Sequence, residues 1–232
     1  MKRGSRRAHG FTLVELLVAL FAMALLAILS WRGLDGMTRA QAITEARADE
    51  VLTLQVGLAQ WTADLDAIMQ LPGTTAIEWN GRVLRMTRRS TSAVTDGVLV
   101  AAWTQRMVNG KGTWLRWQSA QAFTRGDLEQ AWQHADLWSQ NPGDEERSRE
   151  VAVTPLQEWQ VFFFRENAWT NPQSSAATTA APIPVVPASG AAPPVAPLPD
   201  GVRLVLALPE GQAISGTLTR DWVKPTLGRD RP

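Results

Sequence analysis

The residue that suggests chemistry most directly is Glu15, a carboxylate at the start of an apolar run from Leu16 to Leu29. The run contains no polar residue. A charged carboxylate near the middle of a bilayer costs about 2.5–3.5 kcal/mol on insertion scales, and less near a helix end. Glu15 is therefore a candidate functional group that needs a partner of opposite charge.

Elsewhere the residue types do not assemble into a catalytic motif. His134 precedes Asp136 on a predicted helix and is a candidate base, but no nucleophile motif such as G-x-S-x-G accompanies it. We therefore predict that His134 is an ordinary surface residue. The segment from Gly110 to Thr113 lacks the G-x-x-x-x-G-K-[ST] pattern of a phosphate loop and is predicted to be a hairpin turn.

Metal-binding patterns are also missing from the sequence. Asp144, Glu145 and Glu146 are consecutive carboxylates outside a calcium-binding loop, and such runs are usually solvated. Arg125-Gly126-Asp127 matches a cell-adhesion tripeptide, which we attribute to chance at a predicted helix start. The chain has no cysteine, which excludes disulfides and thiolate sites. We predict no catalytic residue, no metal site and no cofactor.

Charge is distributed unevenly along the 232 residues. The formal net charge is +1, but residues 1–10 contain four basic residues and no acidic one. Without them, 19 Lys/Arg stand against 22 Asp/Glu, a net charge of −3. The folded part therefore lacks the basic surface of a nucleic-acid-binding protein, and no nucleic-acid partner is predicted. The positive-inside rule places the basic head in the cytoplasm and the residues after Trp31 outside it.

Two common kinds of N-terminal segment are alternatives for residues 1–31. A signal peptide has a basic head and an apolar core of about 7–15 residues before a small-residue cleavage site. The only A-x-A pattern near the run, at Ala22 to Ala24, lies in its middle, and the residues around Ser30 are a poor cleavage region. A plain membrane anchor of roughly 20 residues fits the length from Phe11 to Trp31, but leaves Glu15 unexplained.

The segment Gly10-Phe-Thr-Leu-Val-Glu15-Leu-Leu-Val-Ala-Leu20 resembles the N-terminus of type IV pilins and of type II secretion pseudopilins. The resemblance implies that a prepilin peptidase cuts between Gly10 and Phe11 and methylates the new amino group of Phe11. It also implies that the apolar helix stays on the protein as anchor and later as filament core. In that family the amine of one subunit pairs with the glutamate of its neighbour, which here is Glu15.

Residues 32–66 are predicted to continue the helix out of the membrane. Apolar residues recur mostly at spacings of three and four, which is typical of an amphipathic helix: they are Leu34, Met37, Ile43, Val51, Leu54, Leu58, Trp61 and Leu65. Gly33 and Gly36 are predicted weak points, at about 1 kcal/mol each relative to Ala.

Strand patterns dominate after Leu71-Pro72-Gly73. Residues 77–84 predict a hairpin with Asn80-Gly81 as its two-residue turn, which places Ile77 opposite Leu84 and Trp79 opposite Arg82. A second hairpin is predicted around Asn109-Gly110.

The chain then returns to a helical pattern. A helix is predicted over residues 124–140 with Thr124 as its cap, followed by a charged loop from Asp144 to Glu150. Residues 159–164 are apolar on both faces, as in a central strand.

Residues 171–199 contain no charged residue and eight of the 14 prolines. We predict a mobile Pro/Ala loop inserted in one domain, because strand patterns resume at Val202 and continue to Trp222. Of the 11 tryptophans, the four in predicted strands are expected in the core: Trp79, Trp103, Trp117 and Trp159. Trp138 and Trp169 are the candidates for an exposed partner surface.

Three further segments are similar to J-type minor pseudopilins of the type II secretion system. They are Ser30-Trp-Arg-Gly-Leu-Asp35, Gly201-Val-Arg-Leu204 and Leu218-Thr-Arg-Asp-Trp222. The resemblance implies an α+β pseudopilin fold, with a long N-terminal helix packed on an antiparallel β-sheet domain. It implies that the chain is not an enzyme. It implies instead a subunit of the pseudopilus tip complex, which initiates assembly and supports export of folded proteins across the outer membrane.

The implied partners are the I- and K-type minor pseudopilins, the major pseudopilin and the prepilin peptidase, in a hetero-oligomer. The implied location is the bacterial inner membrane, crossed once, with the C-terminal domain in the periplasm. The expected organisation is a cleaved leader at 1–10, a transmembrane helix at 11–31, its periplasmic half at 32–66 and a β-rich domain at 67–232. The alternatives are a minor type IV pilin, acting in adhesion or DNA uptake, and a membrane-anchored periplasmic binding module or enzyme.

Overall fold

A computed structural model describes residues 12–90, 97–173 and 197–225. The helices are α1 (Leu13–Asp66), α2 (Arg125–Gln140) and α3 (Asp144–Ser148). The strands are β1 (Ile77–Trp79), β2 (Val83–Arg89), β3 (Val98–Val108), β4 (Lys111–Gln118), β5 (Glu150–Pro155), β6 (Glu158–Arg165), β7 (Ala168–Thr170), β8 (Gly201–Leu208) and β9 (Gly216–Val223). The chain divides into two compact units, residues 1–49 and 50–232.

The described part of the first unit is helical from Leu13 onward, and every described side chain in it is exposed. A helix that is apolar all round needs lipid or other helices to cover it. By length and composition α1 is able to cross a membrane, which agrees with the apolar helix predicted from the sequence. The helix runs without interruption through Gly33 and Gly36, so the two predicted weak points do not break it.

The second unit contains two antiparallel sheets. The first has the strand order β1-β2-β3-β4-β5, and the second has the order β7-β6-β8-β9. In the described residues, all neighbouring strands in both sheets pair antiparallel. The predicted α+β class, a long N-terminal helix followed by antiparallel sheets, is confirmed.

Two apolar clusters hold this unit together. The larger one joins Leu54, Trp61 and Leu65 of α1 to residues of both sheets, including Trp103 and Leu204. The smaller one lies between the first sheet and α2, whose Leu128, Ala131, Ala135 and Trp138 are buried. The first sheet is therefore covered by apolar side chains on both faces, which accounts for the nearly continuous burial of β3.

Three indole rings form the centre of the larger cluster. The ring centroids of Trp61 and Trp103 are 5.5 Å apart in an edge-to-face arrangement. Trp114 lies 4.4 Å from Trp103 and 5.9 Å from Trp61, centroid to centroid. Such contacts are worth about 0.5–1.5 kcal/mol each beyond the area that they bury. This group, called the tryptophan cluster below, joins α1 to β3 and β4.

The second predicted hairpin is confirmed and the first is shifted. Asn109 and Gly110, both with positive φ, form the two-residue turn between β3 and β4. In the first hairpin Trp79 pairs with Leu84, so the turn residues are Gly81 and Arg82 and the predicted register was wrong. The reason is Asn80, whose side-chain oxygen accepts the backbone N–H groups of residues 82 and 83. Gly81 supplies the positive φ of 86°.

The helix predicted after residue 124 is confirmed, but two predictions about residues in or next to it were wrong. The predicted charged loop at Asp144–Glu150 was wrong, because residues 144–148 form α3 and Glu150 begins β5. Acidic residues in a first turn favour a helix N-terminus, and Glu146 accepts the Gly143 N–H at 3.0 Å. Trp138 was also wrongly predicted as exposed: its ring is fully buried and its Nε1 donates to Glu150.

The second sheet bears on two further predictions. Strand β6 lies between β7 and β8, as expected for a central strand, but burial alternates along it and Phe162 and Phe164 are only partly buried. Strands β7 and β8, which flank the predicted Pro/Ala loop, both pair with β6 in this one sheet. Residues 174–196 of the loop lie outside the described residues. All four tryptophans predicted for the core are buried.

Candidate assembly site

The N-terminus of α1 is closed by a reciprocal pair of hydrogen bonds between Thr12 and Glu15. The Glu15 backbone N–H donates to Thr12 Oγ1 at 3.3 Å, and the Thr12 backbone N–H donates to Glu15 Oε2 at 3.0 Å. The Thr12 hydroxyl also donates to the same carboxylate oxygen at 2.9 Å. This is a capping box, in which Ser/Thr and Glu/Gln three residues apart satisfy each other's backbone groups.

The two oxygens of the Glu15 carboxylate therefore differ. Oε2 receives both hydrogen bonds from Thr12, whereas no group among the described residues donates to Oε1. The side chain is exposed in a helix whose neighbouring side chains are apolar and exposed as well. The arrangement holds the carboxylate through Oε2, and Oε1 can accept a further hydrogen bond.

The sequence pointed to Glu15 but not to Thr12. Gly10 and Phe11, the residues of the predicted cleavage bond, lie outside the described residues, so their assignment stays a prediction. Thr12 was overlooked although Thr12-Leu-Val-Glu15 has the S/T-x-x-E spacing that marks a capping box.

His134 and Asp136 do not form a dyad. His134 Nδ1 lies 2.9 Å from Glu146 Oε1. Asp136 instead accepts from Asn80 Nδ2 at 2.9 Å and from Gln140. Chiefly because of the hydrogen bond from His134, the pKa of Glu146 is held below its usual value. The pair ties α2 to α3.

The remaining sequence candidates have structural roles in the described residues. Asp127 of the Arg-Gly-Asp tripeptide accepts the backbone N–H of Thr124 at 3.0 Å and caps α2, and this bond lowers the pKa of Asp127. Glu146 of the acidic run caps α3. Within the described ranges, no group of three His, Asp or Glu side chains is placed to hold a metal ion.

A charged network that was not predicted from the sequence lies inside the second unit. Asp64 of α1 is fully buried and accepts hydrogen bonds from four side chains: Gln60, Arg88, Trp103 and Arg116. Arg116 binds it through both Nε and Nη2, at 2.8 and 2.9 Å. The available signal was the position of Asp64, since it follows Trp61 by three residues on the apolar stripe and a carboxylate there must be paired.

Comparison with protein families finds the prokaryotic N-terminal methylation motif at residues 5–31. No curated protein sequence matches the chain. Among solved structures, a chain in the GspK-GspI-GspJ complex of the Type 2 Secretion System from enterotoxigenic Escherichia coli is similar, with a TM-score of 0.44 and 14% identity. The alignment covers 76% of this chain and 99% of that one. Together with the apolar helix α1, the motif indicates that the chain is anchored in a membrane.

Proposed function

We propose that the chain is a minor pseudopilin of the type II protein secretion system, of the J type. In this role it joins the I- and K-type minor pseudopilins in the pseudopilus tip complex, which initiates assembly on the major pseudopilin. The complex supports export of folded proteins across the outer membrane. The subunit is a substrate of the prepilin peptidase and performs no catalysis itself.

The observation that carries the proposal is the methylation motif at residues 5–31, whose Glu15 has one carboxylate oxygen fixed and the other without a donor among the described residues. Cleavage between Gly10 and Phe11 creates an α-amino group that is positively charged near neutral pH. An amine of a neighbouring subunit supplies a donor for Glu15 Oε1. Burying an unpaired charge away from water costs several kcal/mol. The pair therefore favours the one displacement of neighbouring helices along their axes that brings the amine next to Glu15.

The exposed apolar half of α1 supports the same role. Its side chains are covered first by lipid and then by the helices of other subunits. The basic head at residues 1–10 orients the helix with its N-terminus in the cytoplasm. The domain is then in the periplasm, on an inner-membrane protein that crosses the bilayer once.

A minor type IV pilin is the second candidate, because the sequence resemblance at Gly10 to Leu20 extends to pilins as well. Such a protein acts in adhesion or DNA uptake and not in secretion. Deletion of the gene in its native bacterium distinguishes the two, since only the pseudopilin is required for release of exported enzymes into the medium.

Processing is the direct test. Intact-mass analysis of the membrane-extracted protein is expected to show a chain that begins at N-methylated Phe11 and retains α1. The wild type is also expected to co-purify with the I- and K-type minor pseudopilins. A chain that begins near Ser30 would identify an ordinary signal peptide and end the proposal.

A pair of variants makes the test specific. Gly10→Val is expected to block processing, since a branched side chain prevents close backbone approach at the scissile bond. Ala8→Val, two residues upstream, is the control and is expected to be processed normally. Equal processing of both variants would contradict cleavage after Gly10.

A further inference from the structure

A cavity of about 360 Å³ lies between the C-terminal part of α1 and strands β4 and β5. Its lining includes Leu52, Val56 and Gly57 of α1 and Val151 of β5. Trp103 and Arg116 close the wall on the side of the sheet. All of these residues belong to the second compact unit.

The rim of this cavity is apolar and open to solvent. Leu52, Val56 and Val151 all line the cavity and are 56%, 68% and 57% exposed. Strand β5 is also the last strand of its sheet, so one of its edges carries no strand partner among the described residues. Apolar side chains gathered at an uncovered sheet edge mark an interaction surface.

One cationic side chain, Arg116, lines the cavity and belongs to a buried charged network that also contains Arg88 and Asp64. The guanidinium groups of Arg88 and Arg116, whose side chains are only 5% and 12% exposed, share the single carboxylate of Asp64. In the described residues no other carboxylate bonds to either group, so the network holds one excess positive charge. Burying an unmatched charge is costly, and a second carboxylate lowers that cost.

Arg116 is the group through which a second carboxylate can bind. Its Nε and Nη2 are engaged by Asp64, and Nη2 also donates to Gln118 at 3.0 Å. Its Nη1 has no hydrogen-bond partner among the described residues. Arg116 lines the cavity, and a carboxylate that binds its Nη1 leaves the bonds to Asp64 intact.

We infer that this cavity is a docking site for a partner subunit that inserts an aliphatic side chain next to an Asp or Glu. The aliphatic group covers Leu52, Val56 and Val151, and the carboxylate binds Arg116 and neutralises the network. The inference rests on the proposed function, in which the partner is an I- or K-type minor pseudopilin. The chain's own Pro/Ala segment is an unsuitable occupant, because residues 174–196 contain no acidic residue.

Site-specific photo-crosslinking in the full-length chain, expressed in its native bacterium, tests this docking site. A benzophenone amino acid at position 52 is expected to crosslink to an I- or K-type minor pseudopilin, through a peptide that contains Asp or Glu. The same probe at Val223, which is 70% exposed on β9, is the control position and is expected to give little of this product.

Charge dependence is measured with a matched pair of substitutions on the rim. Val56→Glu is expected to lower the crosslink yield at least about tenfold, since the new carboxylate binds Arg116 or repels the partner's acid. Gln has nearly the same shape as Glu but no charge. For Val56→Gln the crosslink yield is therefore expected to fall by less than about threefold, as for other exposed substitutions. Leu137→Glu and Leu137→Gln, on the exposed face of α2, serve as controls and are expected to leave the yield unchanged.

A compensating substitution in the partner distinguishes loss of a charge contact from a general loss of structure at the docking site. Replacing the crosslinked acidic residue of the partner by Lys is expected to restore crosslinking to Val56→Glu and to weaken it for the wild type. Equal losses for Val56→Glu and Val56→Gln would overturn the carboxylate assignment. Crosslinks only to a second copy of this chain would overturn the choice of partner.

The outcome also distinguishes the inference from the proposed function. If the mature, methylated chain co-purifies with its partners but position 52 gives no crosslink to them, the docking site is wrong and the function stands. If neither processing at Phe11 nor co-purification is observed, the proposed function fails first.

Discussion

Gly57 of α1 lies so close to Val153 of β5 that a β-carbon added at Gly57 would stand 2.2 Å from Val153 Cγ1. Real β-carbons do not approach other atoms this closely, so the helix and the edge strand owe their contact to the missing side chain. Gly57 is buried in a helix interior, where glycine is otherwise unfavourable by about 1 kcal/mol relative to alanine. The close approach explains why glycine is found there.

Gly57→Ala is therefore expected to destabilise the second unit. Overpacking costs about 1–3 kcal/mol, and the better helix propensity of alanine offsets about 1 kcal/mol of it. Thermal unfolding of the full chain in detergent measures the net effect. Val153→Ala in the same chain is expected to recover much of the loss, since it removes the obstructing methyl group.

Gly33→Ala is the matched control for that substitution. An added β-carbon at Gly33 has no atom within 4 Å apart from its own helix, so only the propensity gain applies. A melting temperature that falls equally for Gly33→Ala and Gly57→Ala would contradict the packing explanation.

Asp64→Asn is expected to destabilise the domain strongly while preserving the shape of the side chain. It leaves Arg88 and Arg116 buried without a carboxylate, and removing one partner of a buried ion pair costs about 3–5 kcal/mol. Urea unfolding of the full chain in detergent provides the measurement. Asp66→Asn is the comparison, because exposed Asp66 accepts one hydrogen bond from Trp222 Nε1, which Asn also accepts. Similar losses for the two variants would show that the buried charge is unimportant.

The two roles of Glu15 are separable by substitution. Glu15→Gln retains an acceptor for Thr12 and removes the charge, whereas Glu15→Leu removes both. Thr12→Val removes the cap and keeps the charge. If the charge sets the stagger of subunits, Glu15→Gln and Glu15→Leu both weaken secretion and crosslinking to I- and K-type partners, and Thr12→Val has a smaller effect.

All three variants are expected to insert into the membrane, because the apolar run from Leu16 to Leu29 is unchanged. If both Glu15 variants secrete and crosslink at wild-type levels, the charge of Glu15 does not set the stagger of the subunits. A defect confined to Glu15→Leu and Thr12→Val would assign Glu15 to helix capping alone.

The Pro/Ala segment is expected to be dispensable for folding. Its composition lacks the apolar bulk needed to bury itself, and its flanking strands already pair with β6. Replacing residues 174–196 by a few Gly/Ser residues is expected to leave the melting temperature of the full chain within a few degrees of the wild type. A scrambled segment of the same composition is the control. A fall of more than about 10 °C for the shortened chain, several kcal/mol in a domain of this size, would show that the segment is packed.

Local patterns in the sequence predict part of this fold well. The capping residue Thr124 and the Asn109-Gly110 turn depend on residues close in sequence, and the structure agrees with both. The apolar stripe of α1 is confirmed only in part: Leu54, Trp61 and Leu65 are buried, whereas Leu34, Met37 and Ile43 are exposed. The predicted register of the first hairpin was wrong because the Asn80 oxygen accepts the N–H groups of residues 82 and 83. The Asn80 amide also donates to Asp136, 56 positions away, and local turn preference does not include that contact.

The same reasoning explains what was missed at the candidate sites. The donors to Asp64 include Arg116, 52 positions away, and the sequence alone does not tell which strand residues meet the helix. Glu15 was found because a carboxylate next to a long apolar run is unusual wherever it folds. Its partner Thr12 is a local feature and was predictable from the spacing.

The tryptophan cluster is expected to contribute to the near-ultraviolet circular dichroism of the protein. The chain contains no tyrosine, so its near-ultraviolet circular dichroism arises almost entirely from indole rings. Trp61, Trp103 and Trp114 are close enough for their transitions to couple, and the coupling depends on the angles between the rings. Because Trp61 belongs to α1 while the other two belong to the sheet, any tilt of the helix against the sheet changes this spectrum. If docking of a subunit beside Trp103 tilts α1 against the sheet, the tilt is therefore expected to be observable without attaching a label.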